Sequence, residues 1–226
     1  MPISETYNCD CLAYMRTMPD KHFDLALVDP PYGIGRNWRK DKHSKFYRED
    51  STYMNDSIPG PEYFKELFRV SKNQIIWGAN YYTEHLPARN SWIVWDKQID
   101  FPTQHLSEAE LAWTSFNIPV RIVSLIWNGC CRCEKRSGIH PHEKPKSLYR
   151  WILENYFKGG GKILDTHLGS GSSRIVAYQM GYDFYGCEID PKYFEAQQKR
   201  FEEECLLTFH TPSGKVIKEL SLFDEV

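Results

Sequence analysis

The sequence has no run of about 18 apolar residues, so no transmembrane helix is expected. Its first residues, Met1-Pro2-Ile3-Ser4-Glu5, offer neither a basic start nor an apolar core, so a secretory signal is not expected either. The expected compartment is the cytoplasm. Surplus positive charge is also missing: 28 Lys and Arg stand against 30 Asp and Glu, a formal net charge of -2. A basic coat for nucleic acid is excluded, and a nucleic-acid partner would need a local basic patch. Cysteine is sparse and odd in number, seven residues scattered along the chain, which fits reduced thiols better than a disulfide framework. Cys130, Cys131 and Cys133 cluster, but Cys-Cys-x-Cys is not a usual zinc spacing and no second Cys/His pair completes it. No metal site is expected. Internal repeats and low-complexity tracts are absent.

What is present is a globular composition. The 226 residues, 41 % hydrophobic, are enough for one sizeable core, so a single domain over 1–226 is expected. Short apolar runs alternate with amphipathic stretches, the pattern of an α/β sheet protein. Phe23 to Val28 reads as a buried strand that stops at Asp29-Pro30-Pro31, because paired prolines cannot continue a ladder. Further strands are expected at 74–77, 91–95 and 121–127. Helices are expected over 61–70, where Phe64, Leu67 and Phe68 share a face, and over 147–157. Then comes the most regular unit: strand 162–165, tight turn 169–172, helix 173–180, strand 182–188 and helix 191–205. Segments 206–210 and 215–220 flank Thr211-Pro212-Ser213-Gly214 as a terminal hairpin. The fold class is α/β, a doubly wound, mostly parallel Rossmann-like sheet.

The turn Gly169-Ser170-Gly171-Ser172 lies between a strand and a helix. Without Cβ atoms its backbone can approach a ligand closely, and the helix start offers free N–H groups to an anion. Glu188 ends the following strand, where a carboxylate can accept both hydroxyls of an adenosine ribose. The third glycine of the dinucleotide pattern is replaced by Arg174, so close approach to a pyrophosphate is not supported. From these residues alone the ligand is NAD or S-adenosylmethionine.

Asp29-Pro30-Pro31-Tyr32 follows a buried strand directly, and the carboxyl ends of such strands form the ligand crevice. The prolines fix the backbone and so the direction of the Pro30 carbonyl. An amino group conjugated to an aromatic ring is a poor nucleophile. Asp29 and the Pro30 carbonyl can each accept one of its N–H groups and free the lone pair for attack on a sulfonium methyl. Tyr32 offers a flat face for stacking a base.

Together these motifs resemble the β-group of amino-methylating DNA methyltransferases, in which the catalytic motif precedes the cofactor motif. The resemblance spans roughly residues 4–205 and rests on four motifs in one order. They are Asp29-Pro30-Pro31-Tyr32, His140-Pro141-His142-Glu143-Lys144-Pro145, Asp165-Thr166-His167-Leu168-Gly169-Ser170-Gly171-Ser172 and Glu188-Ile189-Asp190. Thr166-His167-Leu168 departs from the common Pro-Phe-x, and Ser172 stands for Thr, so altered packing against the adenosine is expected. The resemblance implies S-adenosylmethionine as cofactor and methylation of an exocyclic amine of DNA. Adenine N6 is the expected target because Asp fills the first motif position; the alternative is cytosine N4. RNA or protein-amide methylation and a non-catalytic DNA-binding module are weaker rivals.

By the same resemblance Asp29, Pro30, Pro31 and Tyr32 are catalytic. Asp165 and the turn Gly169, Ser170, Gly171 hold the methionine part of the cofactor, with Lys144 and Ser172 near its carboxylate. Glu188 binds the ribose, and Asp10 meets the adenine amine. Asp10 also reads as the N-cap of a helix over 11–16.

The partner implied is double-stranded DNA with its target base flipped out of the stack, at a cost of a few kcal/mol. Arg36, Arg39, Lys40, Lys42, Lys45 and Arg48 make a basic stretch interleaved with aromatics, with Asp41 its one acid. That is a candidate phosphate-binding loop in an otherwise slightly acidic chain. Inserts 33–60 and 97–145 are expected to face DNA, and a homodimer is expected from similar proteins.

Overall fold

The computed structural model describes residues 1–34, 57–99, 107–127, 131–211 and 214–219. In chain order the elements are β1 (Ser4–Tyr7), α1 (Cys11–Thr17), β2 (Phe23–Val28), α2 (Pro61–Val70), β3 (Ser71–Trp77), β4 (Trp92–Asp96), β5 (Ala109–Thr114), β6 (Arg121–Ser124), α3 (Lys146–Tyr156), β7 (Lys162–Asp165), α4 (Ser172–Gln179), β8 (Asp183–Cys187), α5 (Pro191–Cys205), β9 (Leu206–Thr211) and β10 (Gly214–Glu219). Two 3-10 turns, Ala79–Tyr81 and Thr83–His85, follow β3.

Eight strands form one sheet in the order β1-β8-β7-β2-β3-β5-β4-β6. Only β5 runs antiparallel to its neighbours β3 and β4; every other pairing in the sheet is parallel. The chain leaves β2 toward β3 on one side and leaves β7 toward β8 on the other. The two strands pair centrally, with Leu25 opposite Ile163 and Ala26 opposite Leu164. The sheet therefore reverses its winding between β2 and β7, and doubly wound sheets bind ligands at that switch point. This pairing brings residues 29 and 165 to the same edge.

Burial on both faces explains the unbroken apolar run 25–28 of β2. Leu25, Leu27, Ile75, Trp77, Ile93 and Trp95 point to one side, where Leu148 and Ile152 of α3 and Val176 of α4 cover them. Ala26, Val28 and Ile76 point to the other, under Met15 of α1 and Phe64 and Leu67 of α2. Leu67 is fully buried, and its truncation to Ala is expected to cost about 2–5 kcal/mol. Pro61 occupies the first turn of α2, where its missing N–H has no helical partner to lose.

Two strands escape the sequence reading. β1 is a short parallel edge strand on β8, and β5 lies inside the segment read as an insert between 97 and 121. The hairpin β9–β10 is present. Among the described residues no helix is long and apolar enough to cross a membrane. The basic residues Arg36, Arg39, Lys40, Lys42, Lys45 and Arg48, and Cys130 of the cysteine cluster, lie outside the described residues.

Candidate active site

The glycine turn is built by backbone. Gly169 and Gly171 take φ of 52° and 75°, a left-handed conformation that other residues adopt only with strain. Gly171 caps α4 without a side-chain hydrogen bond, so no cap side chain occupies the first N–H groups of that helix. Glu188 is 8 % exposed, and its Oε2 accepts from Gly169 N at 2.9 Å while Oε1 accepts from Asp190 N at 2.9 Å. Burial pushes its carboxyl up to about 7 against those two donors. Asp165 is equally enclosed. Its Oδ1 accepts from His167 N at 3.0 Å and its Oδ2 from Ser173 Oγ at 2.5 Å, and burial still raises it to about 6.

Each of these oxygens keeps a further lone pair. A ligand with hydroxyl donors and a positive charge would relieve two buried carboxylates at once, so the cradle fits a nucleoside carrying a cationic group. Burial forces the neighbouring His167 down to about 4, so it is neutral there. Thr166 Oγ1 lies 2.6 Å from Tyr63 Oη and 2.9 Å from His167 Nδ1. A polar bridge thus replaces the apolar packing of the common Pro-Phe pair.

β1 accounts for the position of Asp10. Tyr7 registers with Cys187, and Asn8 Nδ2 donates to the carbonyls of Glu188 and Ile189 at 2.7 and 3.2 Å. Asp10 is thereby carried to the Glu188 side of the cradle. Its Oδ1 accepts from Ala13 N at 2.7 Å, which makes it the N-cap of α1 as well.

At the mouth of β2 the contacts are between side chains. Asp29 Oδ1 accepts from Tyr32 Oη at 2.6 Å, and Oδ2 accepts from the Lys144 ammonium. Lys144 also pairs with Glu110 Oε2 at 3.1 Å, and Lys97 holds Glu110 Oε1 at 2.6 Å. Lys144 has a side chain only 4 % exposed and lies 5.6 Å from the centre of the Tyr32 ring and 5.4 Å from that of Trp77. Burial lowers its basicity, but Asp29 and Glu110 outweigh that and raise it, so the ammonium stays charged. Burial likewise raises Glu110, but Lys144 and Lys97 win and hold it at about 2.

The prolines are fixed from behind. Tyr82 is fully buried, and its hydroxyl lies 2.7 Å from both the Pro30 and the Pro31 carbonyl oxygens, sharing its one proton between them. The Tyr32 ring stacks on Tyr81 at 5.2 Å between centroids with 17° between planes. The ring also abuts Gly78, where an added Cβ would stand 2.1 Å from it.

The resemblance implies Lys144 near the cofactor's carboxylate. Among the described residues its hydrogen bonds and ion pairs go to Asp29, Tyr32 and Glu110, because the segment 140–145 spans the gap between the two half-sites. At one end of that segment His140 lies against Gly169; at the other Lys144 reaches Asp29. The cation beneath the turn is Arg200 of α5, whose Nη1 donates to Ser170 O at 3.0 Å and Ser172 Oγ at 3.1 Å. Arg200, Tyr82, Glu110 and Lys97 carry no motif in the sequence. Only their return from distant elements reveals them.

The DNA methylase family model matches residues 23–199. The type II methyltransferase M2.DpnII of Streptococcus pneumoniae is 29 % identical over 86 % of this chain and 88 % of its own length. M.HpaI of Haemophilus parainfluenzae, also a type II methyltransferase, is 23 % identical over 84 % of this chain and 71 % of its own. Among solved structures, the M1.HpyAVI–SAM complex superposes with a TM-score of 0.56 at 18 % identity, covering 87 % of this chain and 98 % of that one. The cytosine-N4-specific PvuII DNA methyltransferase superposes with a TM-score of 0.58 at 12 % identity, covering 88 % and 87 %. These likenesses establish a methyltransferase fold. With both motif clusters at one switch point and the family model covering most of the chain, this protein belongs to the DNA methylase family that methylates amino groups at N6 or N4.

Proposed function

We propose that this chain transfers a methyl group from S-adenosylmethionine to the N6 amine of an adenine flipped out of double-stranded DNA. The observation that carries the reading is the position of Asp29. Its carboxylate and the Pro30 carbonyl sit together at the end of β2, beside the cradle at the end of β7. S-adenosylmethionine supplies an electrophilic methyl on a sulfonium, and the two buried carboxylates Asp165 and Glu188 suit its charge and its hydroxyls. Glu188 takes the ribose and Asp10 the adenine amine. Asp165 and the turn from Gly169 to Gly171 take the methionine part. Ser172 and Arg200 face its carboxylate from below.

In this reading Asp29 and the Pro30 carbonyl accept the two N–H bonds of the target amine and draw its nitrogen toward tetrahedral geometry. The Pro30 carbonyl has a second lone pair to offer while Tyr82 holds the first. Acceptors aimed in advance at a developing ammonium are electrostatic preorganisation, on the order of 3 kcal/mol for each group lost. Tyr32 supplies the stacking face, the base taking the place that the Tyr81 ring fills in this structure. The basic stretch from Arg36 to Arg48 binds phosphates, and the segment 33–60 of the single domain faces DNA; of 97–145, β5 and β6 belong to the sheet, which leaves only the connections around them for DNA. Asp in the first motif position favours adenine over cytosine, and the type II relatives favour a modification role of the restriction–modification kind.

The experiment is expression in a host without DNA methylases, digestion of its DNA to nucleosides and mass spectrometry. N6-methyladenine supports the reading. N4-methylcytosine alone replaces the adenine assignment with cytosine, and methyl transfer to RNA or protein but not DNA overturns both.

A further inference from the structure

The catalytic carboxylate has a tyrosine hydroxyl on one oxygen and a lysine ammonium on the other. Asp29 Oδ1 already accepts a 2.6 Å hydrogen bond from Tyr32, so an amine that enters as the proposed function requires competes with that hydroxyl for the same oxygen. A hydroxyl displaced without a replacement acceptor would oppose base entry. A replacement lies close by. Glu110 Oε2 is 3.4 Å from Tyr32 Oη and 3.1 Å from Lys144 Nζ.

We propose that Glu110 is a positioning residue for methyl transfer, receiving the Tyr32 hydroxyl and retaining Lys144 when the target amine takes over Asp29 Oδ1. Four features support the assignment. Glu110 has its second oxygen fixed by Lys97 at 2.6 Å, so Oε2 is held in place as an acceptor. It stands on β5 between β3 and β4, in the interior of the sheet rather than on a loop. The two carboxylates and two ammonium groups of Asp29, Lys144, Glu110 and Lys97 sum to zero, so a hydrogen bond can pass from one carboxylate to the other without leaving a buried net charge. Gly78 N donates to Leu111 O at 2.9 Å, which ties the surface under the Tyr32 ring to the residue next to Glu110. The exchange moves hydrogen bonds only: the tyrosine proton stays on its oxygen, and burial keeps that hydroxyl well above its ordinary pKa.

A counterion role for Lys144 alone predicts something different, and a double-mutant cycle separates the two. The readout is the single-turnover rate of tritiated methyl transfer to unmethylated plasmid DNA at saturating cofactor, with cofactor affinity measured beside it. Glu110→Gln is expected to slow transfer by about 30-fold and change cofactor affinity by less than about 3-fold, whereas in Tyr32→Phe, which has no hydroxyl to relocate, it slows transfer by only about 3-fold. Equal factors in the two backgrounds, or an unchanged rate, overturn the proposal. Should Glu110→Gln fail to fold, Lys97→Met in the same cycle takes its place. It keeps the carboxylate and loosens it, and the expected loss of about 5-fold must likewise shrink in Tyr32→Phe. If the unmodified enzyme transfers no methyl to DNA, the functional reading fails. If it transfers and the two mutations prove independent, this proposal alone fails.

Discussion

The two halves of the site are made by different means. At the ends of β7 and β8 the carboxylates of Asp165 and Glu188 are held largely by backbone N–H groups, from His167, Gly169 and Asp190. At the end of β2 Asp29 is held by side chains, the Tyr32 hydroxyl and the Lys144 ammonium, with Glu110 and Lys97 behind them. Backbone donors cannot swing away without unfolding the turn. Side-chain donors exchange partners by rotation. The Glu188 half is therefore fixed by the fold itself, while the Asp29 half can rearrange, as the proposed entry of a base from a duplex requires.

The sharpest way to break this contrast is to remove a group on one side and look for damage on the other. Asp29→Ala is expected to reduce methyl transfer by at least ~10²–10³-fold while cofactor affinity, measured by calorimetry, stays within about 3-fold. Substantial residual transfer would refute the assigned mechanism. Glu188→Ala inverts the pattern: cofactor affinity is expected to fall by about 10- to 100-fold, the loss of a charged acceptor. Normal turnover at saturating cofactor is then expected to return.

Tyr82→Phe tests the backing of the prolines. It removes the one proton shared by the Pro30 and Pro31 carbonyls, and a transfer rate lower by about 10-fold is expected, equivalent to one hydrogen bond of roughly 1–1.5 kcal/mol. An unchanged rate would mean that the proline ring geometry alone aims the Pro30 carbonyl.

A further expected effect is on stability. Glu188 and Asp165 have folded-state values of about 7 and about 6, above their ordinary 4.5 and 3.8. Between those limits the folded state binds more protons than the unfolded state, so stability without cofactor is full below about pH 4 and falls as pH rises toward 7. For Glu188 the loss is at most about 3 kcal/mol. Thermal melts from pH 5 to 8 are expected to decline for the ligand-free protein and to decline less for Glu188→Gln. Saturating cofactor is expected to flatten the slope. Identical slopes in the two proteins would show that the buried carboxylate carries no such strain.

How much of this was legible in the sequence follows the same division. Motifs bound to backbone geometry were readable: β2 ends at the prolines, and α2 and α5 open on Pro61 and Pro191. The β7–α4–β8 unit could be read around its glycines for the same reason. Residues that work by long-range return were not. β1 has four residues with only alternate positions partly covered, too short to signal a strand, yet it carries Asp10 to Glu188. β5 reads as Ala-Glu-Leu-Ala-Trp-Thr, with helix-favouring residues at its start, and tertiary pairing overrides that preference. Because β5 carries no strand signal, the sequence does not show Glu110 as a neighbour of Asp29, nor the pairing of Lys144 with both. The departure at Thr166-His167 was legible, and the Tyr63 hydroxyl from α2 supplies its physical reason.

The central claim is that Asp29 at the switch point directs methyl transfer to an amine of DNA, with adenine N6 as the target. The most direct measurement is nucleoside mass spectrometry of plasmid DNA from a methylase-free host expressing either the unmodified chain or Asp29→Ala. The account predicts N6-methyladenine from the first and none from the second, with both proteins binding cofactor. N6-methyladenine from both, or from neither when the unmodified chain is folded and binds cofactor, would contradict it.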